Sequence, residues 1–173
     1  MKSLLTILLC CMAFFMPFCS EDSKAPKLPG LGSQAPGFSC RDLEGRTWTL
    51  DQTKGQVVMV RFWADWCPYC RFEMPVIEKY YRLLKDKGFQ VLAVNVKQSA
   101  QVAEAFIAQM DVTFPVLLDT DGRIAESYGV YAIPTNFLVD KEGKIREVLV
   151  GEVFREEKVL KQVLKPYFAG LDF

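Results

Sequence analysis

The chain has 173 residues, half of them apolar and 24% charged, which suits one globular core preceded by a short leader. Lysine plus arginine equals aspartate plus glutamate, 21 against 21. No basic excess exists to attract nucleic acid, and no acidic tract would keep the chain unfolded. Histidine is absent. That excludes Ser-His and Cys-His catalytic pairs, His-ligated zinc or copper, and c-type haem attachment, since Arg71 stands where the haem motif needs histidine.

Residues 1–20 read as a targeting segment. Lys2 precedes an apolar run from Leu4 to Phe18, shorter than the roughly 20 residues that cross a bilayer comfortably. No small-x-small cleavage site precedes the polar Ser20-Glu21-Asp22-Ser23. Three outcomes are open: lipid attachment at Cys19, an uncleaved anchor, and ordinary cleavage. Each puts the folded part outside the cytoplasm, in the periplasm or at the cell-envelope surface, and the first two tether it to the membrane. Cys10 and Cys11 are apolar members of the run. A linker follows over 21–34, with a Pro- and Gly-rich composition that continues to Gly37.

The folded domain is expected over 35–169. Phe38–Arg41 and Thr47–Leu50 read as a hairpin around Asp42-Leu43-Glu44-Gly45. Gln56–Ala64 is β-branched, aromatic and nearly all apolar, the pattern of a central strand buried on both faces. Arg71–Lys87 has helical spacing through Met74, Ile77, Tyr81 and Leu84, and Gly88 ends it. Phe89–Val96 predicts a strand, Ala100–Met110 a helix, Phe114–Leu118 a strand and Arg123–Tyr128 a short helix. Thr135–Asp140 and Lys144–Val150 predict a second hairpin, and Arg155–Phe168 an amphipathic closing helix. Strands alternating with helices imply an α/β sheet with a mixed parallel and antiparallel edge.

Only Cys40, Cys67 and Cys70 fall in the folded part, too few for a disulfide-stapled scaffold. Structural zinc would need four ligands, and only Cys40 is to spare, so neither metal nor cofactor is expected. Cys67 and Cys70 sit where a buried strand gives way to a helix. There the unpaired backbone N–H groups and the helix dipole favour thiolate over thiol. Pro68 suits the first helical position. Cys67, at the helix start, is expected to be exposed and to attack. Cys70, one turn in, is expected to be buried and to resolve the mixed disulfide. Tyr69 is expected at the surface, and Cys40 as a buried small hydrophobe.

Phe62-Trp63-Ala64-Asp65-Trp66-Cys67-Pro68-Tyr69-Cys70 resembles the thioredoxin active-site strand and turn. Pro75 resembles that family's helix-kinking proline, and Ile133-Pro134-Thr135 its cis-proline segment. Ala35-Pro36-Gly37-Phe38, Cys70-Arg71-Phe72-Glu73-Met74-Pro75 and the long interval to Pro134 narrow the likeness to the TlpA/ResA subfamily of exported thiol–disulfide oxidoreductases. The resemblance implies a thioredoxin-like mixed sheet flanked by helices, with an N-terminal β-hairpin and an inserted strand–helix unit. It implies a cis Pro134 against the sulfurs, an Ile133 backbone that pairs with a client strand, and a Glu73 that influences cysteine acidity. Trp63 and Trp66 become apolar walls beside the disulfide.

Thioredoxins carry a buried aspartate where this chain has Arg61. Arginine cannot accept a proton, and an unpaired buried guanidinium is costly, so Arg61 is expected to snorkel out along the strand to a carboxylate. The functional expectation is reduction of oxidised protein clients, such as apocytochrome c, with electrons from a membrane donor. A thiol peroxidase is the second reading, although no Pro-x-x-x-Thr/Ser-x-x-Cys motif is present. A metallochaperone or binding module is the third, although the Cys-x-x-x-Cys spacing and distant histidine of exported copper chaperones are missing.

Overall fold

The computed structural model describes residues 27–171 and 173. The leader with Cys10, Cys11 and Cys19, and the linker as far as residue 26, lie outside the described residues.

Val57–Trp63 forms β3, every residue of which is buried, as its nearly all-apolar run predicts, and Arg61 is its charged member. It is the central strand of a five-stranded sheet that also contains β4 (Phe89–Val96), β5 (Val116–Asp119), β6 (Thr135–Val139) and β7 (Ile145–Val150). The order is β5-β4-β3-β6-β7, with β3, β4 and β5 parallel and β6 and β7 antiparallel. A separate antiparallel pair, β1 (Ser39–Arg41) and β2 (Thr47–Thr49), makes the N-terminal hairpin. The helices are α1 (Pro68–Leu84), α2 (Ala100–Ile107), α3 (Arg123–Ser127) and α4 (Glu157–Leu164).

Side chains alternate across β3, so its two faces feed two cores. Val57, Met59 and Trp63 join one face with α1, α2 and α4, through Met74, Ile77, Leu84, Phe106, Leu160 and Leu164. Val58, Val60 and Phe62 join the other, with Cys40, Leu50, Ile124 and Tyr128. Arg61 falls in the register of the first face.

Element ends shift from the sequence expectation by a few residues, and the larger shifts have local reasons. α1 starts at Pro68 and passes to a single 3-10 turn, Lys85–Lys87, before Gly88 at φ +90°. α2 stops at Ile107, and the chain turns through Asp111 at φ +46°. β5 starts at Val116 rather than Phe114, because Pro115 has no N–H to give the ladder; its carbonyl accepts from Ala93 N–H at 3.0 Å. α4 ends at Leu164 and tightens into a 3-10 turn, Lys165–Tyr167, around Pro166, which cannot continue an α-helix.

Candidate active site

β3 ends at Trp63, and the chain turns through Ala64, Asp65 and Trp66 to reach Cys67, the N-cap of α1. The Cys67 Sγ accepts the Cys70 main-chain N–H at 3.1 Å, and Pro68 occupies the first helical position. Cys67 and Cys70 are joined in a disulfide, with Cα atoms 5.4 Å apart. The Cys67 sulfur therefore already occupies the place where free N–H groups and the helix dipole would stabilise a thiolate. Pro75 lies inside α1 and removes one helical hydrogen bond, which lets the first turns diverge from the rest of the axis.

Cys67 is 1% exposed, so the expectation of an exposed nucleophile is corrected: in the disulfide state both sulfur-bearing residues are buried. The exposed groups are its neighbours. Trp66 is 66% exposed, Phe72 65% and Tyr69 46%, which makes an aromatic rim around the pair. Trp66 does not wall the disulfide from inside but lines a groove of about 490 Å³ with Tyr131, Ala132 and Ile133. Trp63 is fully buried against Phe106, ring centroids 4.9 Å apart, and serves as core.

The Ile133–Pro134 peptide bond is cis, and Pro134 is buried immediately before β6. β6 lies beside β3, with Thr135 opposite Phe62 and Asn136 opposite Arg61. Ile133 is half-buried, and among the described residues its main-chain N–H and C=O have no hydrogen-bond partner. Asp65 is exposed, with its main-chain N–H donated to Gln98 Oε1 at 2.9 Å. Cys40 is a buried free cysteine, and burial pushes its thiol above the ordinary value, as suits a packing residue.

A buried polar cluster joins α1, β3 and β6, with Glu73 one turn beyond Cys70 on α1. Glu73 and Arg61 are each 0% exposed and form an ion pair, Nη1 to Oε2, at 2.8 Å. The same Nη1 donates to Asn136 Oδ1 at 2.9 Å. Glu73 Oε1 accepts the main-chain N–H groups of Val153 and Phe154, both at 2.7 Å. Glu73 is thus no surface carboxylate. Arg61 does find a carboxylate but does not snorkel out; its head group stays inside because the partner comes from α1, across the layer, and not from the strand's end. Burial lowers the readiness of Arg61 to hold its proton, and Glu73 opposes that. Asn136 and the 153–154 loop were not singled out in the sequence. The available signal was Asn136 itself, a polar residue in the otherwise apolar Phe137-Leu138-Val139 strand.

A disulfide capping a helix, a strand that delivers it, and a cis-proline segment beside that strand define a thiol–disulfide oxidoreductase of thioredoxin-like fold. The AhpC/TSA family model matches residues 31–148, and the chain belongs to that family. Among its relatives are two proteins named thiol-disulfide oxidoreductase ResA. That of Bacillus thuringiensis subsp. konkukian is 35% identical over 164 residues, 94% of each chain. That of Bacillus cereus is 38% identical over 143 residues, 82% of each chain. Among solved structures, a putative thiol:disulfide interchange protein DsbE from Chlorobium tepidum aligns with TM-score 0.76 and 35% identity, covering 81% of this chain and 98% of that one.

Proposed function

We propose that this oxidoreductase works outside the cytoplasm as a reductase of protein disulfides, with Cys67 as nucleophile and Cys70 as resolving thiol. The observation that carries the reading is the Cys67–Cys70 disulfide at the start of α1, with the Cys67 Sγ already accepting a helical N–H. In the reduced enzyme the Cys67 thiolate attacks a client disulfide. One client sulfur leaves as thiolate and takes up a proton, and the other stays bound to Cys67. The Cys70 thiolate then attacks the Cys67 sulfur, releases the second client thiol and re-forms the enzyme disulfide. Two electrons pass to the client, and a dithiol donor must return two to the enzyme. Because exported compartments are oxidising, that donor is a membrane partner drawing electrons from the cytoplasm. Apocytochrome c is the client class in view, and the ResA names of the relatives support the oxidoreductase part of the reading.

The aromatic rim of Trp66, Tyr69 and Phe72 offers rigid apolar contact area for a client chain, and Ile133 offers free backbone groups to pair with it. The leader supports tethering to the membrane through Cys19 lipid or an uncleaved anchor.

Two measurements test the proposal. The protein supplied with dithiothreitol should reduce insulin, and Cys67→Ser should abolish that; full activity in the variant would refute the assignment. Fatty-acid labelling of cells should depend on Cys19. Membrane retention without label would point to the uncleaved anchor, and release into the medium would refute tethering.

A further inference from the structure

The buried ion pair between β3 and α1, whose carboxylate lies three residues after Cys70, supports a step beyond the exchange reaction. Val57, Met59, Arg61 and Trp63 occupy one face of β3, and Arg61 is the charged member of that row, fully buried under α1. A guanidinium does not give up its proton in a protein, so burial there demands a permanent counter-charge. Glu73 supplies it. Every hydrogen bond made to Glu73 comes from a donor: Arg61 Nη1 to Oε2, and the Val153 and Phe154 N–H groups to Oε1. A protonated carboxyl would turn an O–H toward one of these donors and lose that bond. Asn136 Oδ1 holds the guanidinium from the β6 side and keeps it in register with the carboxylate.

We propose that Arg61 is a positioning residue of the exchange reaction. It holds Glu73 as a carboxylate in both the disulfide and the dithiol state, so the cysteines titrate beside a net-neutral ion pair and not beside a lone negative charge. The inference rests on Cys67 and Cys70 being the working pair. Glu73 takes up no proton in the cycle, and the protons exchanged are those of the thiols. Without Arg61, Glu73 stands three residues after Cys70 on the same helix, where a lone carboxylate disfavours a second negative charge.

Of the other charged side chains nearby, Lys97, Asp121 and Glu126 line the groove that Trp66 borders, and the rest are engaged. Asp65, in the preceding loop, accepts Gln98 Nε2–H on its Oδ1; Arg71 on α1 lies over the Phe106 ring and donates to Gln109 of the turn after α2. Glu152, in the loop between β7 and α4, lies 3.7 Å from Arg155, and β6 presents only the neutral Thr135 and Asn136.

The first test is the infrared difference spectrum, reduced minus oxidised, of the full-length wild-type protein. No carboxylic-acid C=O band should appear on reduction. A band that appears there and vanishes in Glu73→Gln overturns the inference. The second is alkylation rate of the cysteines against pH. Arg61→Met should move the thiol titration upward by about one pH unit or more, and Arg61→Lys should restore it. An unchanged titration in a cooperatively folded Arg61→Met overturns the inference as well. Should Arg61→Met not fold, the wild-type spectrum still decides. If the wild-type protein fails to reduce clients while both results hold, the reductase reading falls and the ion-pair inference stands.

Discussion

Glu73→Gln keeps the side-chain volume and one carbonyl oxygen for the Val153 and Phe154 N–H groups, but turns an amide N–H₂ or a weaker acceptor toward Arg61. The guanidinium is then buried without a counter-charge. Breaking a buried pair by removing one partner costs about 3–5 kcal/mol, so urea denaturation at neutral pH should show a loss of that order. The thiol titration should move to lower pH at the same time, because a positive charge is left near the sulfurs. A neutral effect on both would mean the pair at 2.8 Å contributes neither to stability nor to acidity. Gly129 provides a second residue-scale test. It sits at φ +63°, and a Cβ would lie 2.5 Å from the Lys27 carbonyl oxygen, which belongs to the segment entering the domain. Gly129→Ala should lose about 1–3 kcal/mol from backbone strain alone, read from thermal unfolding, with the clash adding to it.

The two hairpins are closed by the same device. In Asp42-Leu43-Glu44-Gly45-Arg46, Asp42 Oδ1 accepts the N–H groups of Glu44 at 3.0 Å and Arg46 at 2.8 Å, while Oδ2 takes Arg46 Nε and Trp48 Nε1. In Asp140-Lys141-Glu142-Gly143-Lys144, Asp140 Oδ1 accepts the N–H groups of Glu142 at 3.0 Å and Lys144 at 2.8 Å, and Oδ2 takes Arg146 Nε. Burial alone would push both carboxyls up. Trp48 and Arg46 outweigh it for Asp42, and Lys144 and Arg146 outweigh it for Asp140, so both are held below the ordinary 3.8. A depressed native value means that the stabilisation is present above the unfolded-state value near 3.8 and lost as pH falls through the native one. Unfolding midpoints measured from pH 5 down to pH 2 should therefore fall less steeply in an Asp42→Asn, Asp140→Asn double variant than in wild type. The double variant should also be less stable at pH 7. Equal slopes would remove these turns from the acid response.

At this scale the sequence was most informative where pattern and chemistry agree. The apolar run of β3, the Pro68 start of α1 and the Gly88 stop were legible because periodicity and caps act locally. The early end of α4 and the late start of β5 were legible in principle from Pro166 and Pro115, but the apolar spacing ran past them. The Arg61–Glu73–Asn136 cluster was not legible as a unit. Its members come from a strand, a helix and a second strand, and only the stacking of α1 on β3 and the antiparallel pairing of β6 with β3 bring them together. Burial of Cys67 was missed for a related reason: position at a helix start predicts the environment of the sulfur but not what covers it.

Over the whole molecule, the sheet separates one core from another, and the disulfide sits at the edge of the first, among Trp63, Met74 and Phe106. Such placement gives a small reactive edge on a rigid base, with the exposed aromatics doing the contacting. The account stands or falls on which sulfur forms the bond to a client. The most direct measurement is mass spectrometry of the mixed disulfide trapped when reduced Cys70→Ser protein meets an oxidised protein client. The account predicts a stable adduct on Cys67, slow formation on Cys70 in the reciprocal Cys67→Ser variant, and none on Cys40. An adduct that forms on Cys70 of Cys67→Ser at the rate seen for Cys67, or one carried by Cys40, would contradict it.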